Sequence, residues 1–305
     1  MKNRMWILGA PDPEMERIEA LLRECGEAVV HAAVDGKRVH GGNAYKADGL
    51  VGHDALNVEE VVLVECGLTH HEGVAKMTSV DHHKEGDPGY GKPPEEFLEA
   101  SSLGQVIAIL AKEEKLPAWK GVKPEEGVPQ VVTTDDINGQ MVFNLPMFHR
   151  LAAAADHCLG AAYRGECPGV EPDKLGQWRA YTRAAFQKRP VGEVMVDVAN
   201  ARKALMAAPL VALAPECFGV RRVRDMRGKH APELPEAAAR EGSAFMAEIK
   251  DREGRTKVVL QAARPEQIRA FMEVYALEEG LTGVYGDGAR GFAGGYVSEG
   301  GEESS

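Results

Sequence analysis

The strongest constraint on this chain is a rhythm in its first half. Short apolar runs of strand length alternate with segments whose apolar residues recur at helical spacing. "RMWILGA" at 4–10 is a strand pattern, and "PEMERIEALLREC" follows it with Met15, Ile18, Leu21 and Leu22 on one helical face. Pro13 suits the first turn of that helix and Gly26 its end. "VVLVEC" at 61–66 is apolar almost throughout, and "MTSV" at 77–80 is a further short strand. "EASSLGQVIAILAKEE" predicts a helix in which Ser102 and Gln105 have capping-box spacing. "PQVVTTDDINGQMVF" predicts a hairpin turning at Asn138-Gly139, and "PMFHRLAAAADHCLGAAYRG" an alanine-rich helix ending at Gly165. Repeated units of this kind predict an α/β fold with a parallel sheet covered by helices.

The pattern then changes. "DKLGQWRAYTRAAFQKR" and "EVMVDVANARKALM" predict helices across about 174–208, a bridging segment. Beyond about 220, "SAFMAEIKDREGRTKVVLQAA" predicts two strands around a turn, and "PEQIRAFMEVYALEEG" an amphipathic helix. "LTGVYGDGARGFAGGYV" predicts a glycine-rich strand and loop, which makes the second part a smaller α+β domain. The expected division is 1–175, a helical linker at 176–215, a second domain at 216–297 and a disordered tail at 298–305.

The formal charge of −11 argues against a binder of long duplex nucleic acid, which needs a basic surface to displace counterions. It leaves room for a small nucleotide or phosphate ester. No apolar run is long enough to span a bilayer, and the start of the chain meets an acid and two prolines too early for a signal peptide. The five cysteines, Cys25, Cys66, Cys158, Cys167 and Cys217, show no paired CxxC spacing, so a reduced, cytoplasmic setting is expected and a cysteine zinc site is not.

In an open parallel sheet, ligands bind beyond the carboxyl ends of the strands. Three short motifs fall at such ends: Asp12 and Glu14 in "LGAPDPEM", Glu65 in "LVECG", and Asp81, His82 and His83 in "VDHHKEG". Carboxylate oxygens combined with imidazole nitrogens suit manganese or another divalent ion that accepts mixed ligands, such as magnesium or cobalt, with one or two ions bound. Read as solvated loops, the same residues would be turn chemistry. His70 and His71 could add a ligand beside Glu65, and His53-Asp54 is a weaker pair of the same kind. Cys167 in "YRGECPG" has no histidine partner in sequence to make it a nucleophile. Arg290, set among glycines, is a candidate phosphate contact, and "RRVRDMRGKH" at 221–230 is the one basic cluster, either facing a phosphate or forming a solvated linker.

The order of these motifs resembles the DHH phosphoesterase superfamily, named for its Asp-His-His triplet. The match is best over residues 77–110, where a strand enters Asp81-His82-His83 and "SSLGQVIAIL" stands at the family's small-residue helix start. "ILGAPDPEM" is similar to the first motif, with Ala10 in the region of the usual histidine, and "VVLVEC" to the second, with Glu65 in place of aspartate. "GDGARGFAGGY" resembles a diverged form of the glycine-rich loop of the companion DHHA1 domain. The resemblance implies a DHH-like metal-binding catalytic domain followed by a DHHA1-like substrate-binding domain. It implies Asp12, Glu14, Glu65, His82 and Asp156 as metal ligands, with Glu65 bridging, and Asp135 and Asp136 as the alternative to Asp156. Asp81, His82 and His83 would be catalytic, Asp81 orienting a histidine and His83 lying against the substrate phosphate. Gly288, Arg290, Gly294 and Gly295 would hold the substrate end. The implied activity is metal-dependent hydrolysis of a phosphodiester or phosphomonoester in a short oligonucleotide or small nucleotide. The competing expectation is a nucleotide-binding or regulatory protein with a reduced metal centre. A homodimer stays open.

Overall fold

The computed structural model describes residues 4–52, 58–70, 75–116, 131–134, 140–143, 147–214, 222–251 and 253–298. The fold is mixed α/β with two principal sheets. The chain divides into two compact units, Met1–His157 with Cys167–Val170, and Cys158–Glu166 with Glu171–Ser305.

In the first unit the elements are β1 (Arg4–Leu8), α1 (Pro13–Glu24), β2 (Ala28–Val34), β3 (Lys37–Arg38), β4 (Gly49–Leu50), β5 (Glu60–Val64), β6 (Lys76–Val80), α2 (Phe97–Ala100), α3 (Ser102–Lys112), β7 (Val131–Thr134) and β8 (Gln140–Phe143). Helix α4 (Met147–Tyr163) begins in this unit and is kinked at Cys158, where φ is −153°. Strands β2, β1, β5 and β6 are parallel and adjacent in that order, while the short β3 and β4 pair antiparallel with β2. The chain leaves β1 toward β2 on one side, then returns to open β5 on the other. Two neighbouring strands with diverging exits leave a crevice at their carboxyl ends, and that position sets where the site lies.

Sequence explains these elements locally. Asp12 caps α1, its Oδ1 accepting the Met15 amide at 2.7 Å, and Pro13 occupies the first turn, where a missing N–H costs nothing. Met15, Ile18, Leu21 and Leu22 are all buried. Ile7, Val30, Ala32, Val61 and Leu63 pack with Val39, Ala44 and Ala47 on one face of the sheet. Trp6, Leu8, Val62 and Val64 alternate to the other face and are buried as well. Each such side chain contributes about 1.5–3 kcal/mol of burial. The start of β1 is fixed by Arg4, which donates to Glu27 at 2.9 Å and to Glu113 at 2.8 Å, while the Trp6 indole donates to Glu27 at 2.7 Å.

The cap of α3 differs from expectation. Ser101, not Ser102, is the cap, its Oγ accepting the Gly104 amide at 3.0 Å. A Cβ on Gly104 would stand 1.5 Å from the Leu98 carbonyl oxygen, so the chain enters the helix at the one register that places glycine there. Gln105 donates instead to the carbonyls of Asp81 (2.9 Å) and Ala100 (2.8 Å). The expected hairpin forms as β7 and β8, antiparallel, with its turn residues outside the described ones.

The second unit contains α5 (Pro172–Gln187), α6 (Val191–Ala207), β9 (Leu210–Ala212), β10 (Arg222–Asp225), α7 (Leu234–Glu241), β11 (Phe245–Lys250), β12 (Thr256–Gln261), α8 (Pro265–Ala270), β13 (Thr282–Asp287) and β14 (Phe292–Tyr296). Its sheet runs β13-β14-β12-β11-β10-β9, antiparallel except for β10 with β11. One face packs Phe245, Ala247 and Val259 against α6 and α7, and the other packs Met246, Val258 and Leu260 against α8 and the helical segment Phe271–Glu278 that continues it. The buried Glu236 carboxylate accepts from Arg179 (2.9 Å), Arg240 (3.0 Å) and the Tyr163 hydroxyl. From Arg222 on, the basic stretch is not a linker. It supplies β10, with Arg224 donating to the Ala208 carbonyl and Arg227 pairing with Asp225 and Tyr275. Among the described residues, no helix is long and apolar enough to cross a membrane.

Candidate metal centre

Three strand ends and one helix bring the site together. Glu14 lies in the first turn of α1, beyond β1, and Glu65 directly follows β5. His82 is the second residue after β6, and Asp156 comes from α4 just before its kink. One donor atom from each of these four residues lies within 4.8 Å of the others. Donors opposite one another on an ion with bonds of about 2.1 Å sit about 4.2 Å apart, so a group of this size matches the span of a single cation's ligands. His82 Nε2 lies 2.9 Å from Asp156 Oδ2 and 3.6 Å from Glu65 Oε1. A ring nitrogen of His83 forms a second, overlapping group with Glu65 and His82.

The local backbone is built for this convergence. Glu65 has φ of +49°, a conformation that non-glycine residues adopt at a cost, and it turns the chain sharply at the end of β5. Gly9 packs against that turn, its amide donating to the Val64 carbonyl at 2.9 Å. Gly89 does the same beside His82, since a Cβ there would stand 2.7 Å from the His82 Cβ and 1.9 Å from the Ala100 carbonyl oxygen.

The electrostatics are those of a group lacking its counter-charge. Burial, and then the Asp156 charge, push both Glu14 and Glu65 well above the usual carboxylate range. Glu14 Oε1 accepts the Leu103 amide at 3.1 Å, but Glu14 Oε2 and Glu65 Oε1 are buried with no hydrogen-bond partner among the described residues. A divalent cation would satisfy both oxygens. The residues present therefore fit a metal ion in charge, donor chemistry and spacing.

Asp12 stands apart from the four-donor group. Its Oδ1 caps α1, and burial and the nearby Asp156 push the carboxyl up to about 7. The sequence reading makes it a ligand; the cap engages one of its two oxygens, and the four-donor group forms without it.

Asp81 holds His83. Its Oδ1 accepts from the amides of His82 (2.7 Å) and His83 (3.1 Å) and from His83 Nδ1 (2.8 Å), and its Oδ2 accepts the Tyr45 hydroxyl at 2.8 Å. Burial works against the charge, but the hydrogen bonds from His83 and Tyr45 outweigh it and hold Asp81 down at about 2. The His83 side chain is 35% exposed, so its Asp81-anchored ring reaches solvent.

Several contributors carried no sequence signal. Tyr45 is one, with Lys84 Nζ over its ring at 3.0 Å. Arg38 is another, its Nε donating to the Gly9 carbonyl at 3.4 Å and its charge felt by Asp12. His157 is the third, with Nδ1 3.3 Å from His82 Nδ1 and Nε2 3.0 Å from the Lys92 carbonyl. The family resemblance drew attention to Asp156, but nothing in the spacing linked its neighbour to His82.

The remaining candidates lie elsewhere. His70 is exposed after β5, while His53, Asp54, His71, Asp135 and Asp136 fall outside the described residues. Cys167 is buried. In the second unit the glycines serve packing: Tyr285 lies over Gly294, Leu281 and Val284 over Gly295, and Pro265 over Gly288. The intervening turn is shaped by Asp287, whose Oδ1 accepts the amides of Ala289 (2.8 Å) and Arg290 (3.2 Å). Arg290 lies 5.4 Å from the Phe292 ring centroid.

Comparison of the chain with protein-family models finds no match, and comparison with curated proteins finds none either.

Proposed function

We propose that this protein is a divalent-cation-dependent phosphoesterase of the DHH type, acting on a short oligonucleotide or small nucleotide, with manganese as the preferred ion. The observation that carries the reading is the convergence of Glu14, Glu65, His82 and Asp156 at the carboxyl ends of diverging parallel strands. Three carboxylates and one imidazole form the mixed oxygen and nitrogen donor set that suits manganese. When bound, the cation supplies charge stabilisation for a phosphoryl group and lowers the pKa of water. The two donor groups share Glu65 and His82, and one imidazole nitrogen serves one ion, so a single cation is the simplest occupancy.

The chain's own residues would do the rest. His83, held through Nδ1 by an ionised Asp81, presents a ring oriented to exchange a proton with substrate or water. Arg38, at the rim beside Gly9, offers a positive charge to a phosphate. Arg290 and the turn 288–291 are proposed for the substrate end.

A second reading, a nucleotide-binding or regulatory protein, draws support from the four-donor group, which does not include Asp12. A manganese-supplemented assay on a model phosphodiester, run beside His82→Ala, separates the two. Turnover that disappears in the variant supports the enzyme, and nucleotide binding without turnover supports the second reading.

A further inference from the structure

His82 has two ring nitrogens, and a neutral imidazole carries one proton. Which nitrogen keeps it decides whether the ring can bind a cation or instead seals the site with a hydrogen bond. The contacts around His157 bear on the choice through donor and acceptor bookkeeping for two neutral rings.

His157 Nε2 lies 3.0 Å from the carbonyl oxygen of Lys92, a group that only accepts. The proton of neutral His157 therefore sits on Nε2, and Nδ1 is left as an acceptor. His82 Nδ1, 3.3 Å away, must then donate. With both rings neutral, that proton is committed to His157, and Nε2 is the unprotonated nitrogen of His82. Its lone pair is directed among Asp156 Oδ2 at 2.9 Å and Glu65 Oε1 at 3.6 Å.

Both rings are fully buried, so bulk water cannot take over either role. The carbonyl that starts the chain of donors is itself fixed, because Lys92 precedes Pro93 and Pro94 and its backbone freedom is reduced. Gly89 presses the same loop against His82.

We propose that His157 is a positioning residue that sets the tautomer of His82, making Nε2 a cation ligand; this rests on the metal-centre reading above. Without an acceptor at His157, His82 is free to carry its proton on Nε2 and donate it to the Asp156 carboxylate. The site would then close on itself, and a cation would have to displace that bond.

Two measurements test this. The first is calorimetric titration of the full-length, metal-free protein with Mn2+, comparing wild type, His157→Leu and His157→Gln. Leucine removes the acceptor, whereas glutamine keeps a carbonyl for His82 and an amide for Lys92. Affinity is expected to fall about 10–100-fold in His157→Leu, the range for loss of a group that orients a ligand, and only a few-fold in His157→Gln. The second is nitrogen-15 NMR of histidine-labelled, metal-free wild type, where the proton of His82 is expected on Nδ1.

A wild type that binds no Mn2+ overturns the metal centre and this proposal with it. A wild type that binds, with His157→Leu binding equally tightly, overturns the role of His157 alone. A bare Nδ1 on His82 in the NMR spectrum also overturns it, and that readout decides the matter should His157→Leu fail to fold.

Discussion

Gly9 and Glu65 pack so closely that a Cβ on Gly9 would stand 2.3 Å from the Glu65 carbonyl oxygen. The clash is with backbone on the neighbouring strand end, which cannot rotate away. Gly9→Ala is therefore expected to destabilise the protein by about 1–3 kcal/mol, the range for overpacking. Urea denaturation measures that loss. Because the displaced backbone carries Glu65, Mn2+ affinity should fall in the same variant, and an unchanged affinity would show that Glu65 is not a ligand.

Burial and the Asp156 charge raise Asp12 to about 7 and raise Glu14 and Glu65 further from their ordinary range. Acids whose folded pKa exceeds the unfolded value bind more protons in the folded state, so stability falls as pH rises between the two. For Asp12 that window runs from 3.8 to about 7. The metal-free protein is expected to melt at a progressively lower temperature from pH 5 to pH 7.5, and Mn2+ to restore the loss at the upper end. Thermal denaturation with and without the ion checks both halves.

Replacing one of the crowded acids should separate stability from binding. Glu65→Gln removes a buried like charge while nearly keeping shape. The metal-free variant is expected to melt above wild type at pH 7.5, with Mn2+ affinity at least tenfold weaker. A variant that loses stability and keeps affinity would contradict the site.

Asp81 does a different task. It accepts from three N–H groups and the Tyr45 hydroxyl; it bonds the ring of His83 but only the backbone amide of His82. Asp81→Asn is expected to lower kcat on a phosphodiester about 10–100-fold and to leave Mn2+ affinity within a few-fold. Steady-state kinetics at saturating Mn2+, paired with calorimetry, provides the split.

In the second unit, Glu236 is buried with Arg179 beside it at 2.9 Å. Removing one partner of such a pair strands the other, at a cost of about 3–5 kcal/mol. Glu236→Ala is expected to unfold at clearly lower denaturant, and a loss below 1 kcal/mol would show the network to be ornamental.

Much of this was legible along the chain. The helical spacing of Met15, Ile18, Leu21 and Leu22, and the apolar runs of β1 and β5, follow from periodicity because a buried face must repeat with its element. Glu14, Glu65 and His82 were visible because acids and histidines beyond parallel strands share one rim. The cap of α3 was read one residue late, since Ser101 and Ser102 are equally competent and only the contact between Gly104 and Leu98 decides. Asp12 also caps α1, a use that the reading of it as a ligand did not include. Tyr45, Arg38 and His157 were invisible because their roles come from tertiary neighbours, with no local pattern to betray them.

The four donors come from widely separated stretches of the chain, the first in α1 and the last in α4. A cation joining them would act as a removable crosslink, shutting three long loops at once. Closing loops of that length constrains the unfolded chain far more than the folded one. A chelator would then behave toward this protein as a reducing agent behaves toward a disulfide-stapled one, loosening the whole first unit and not only its chemistry.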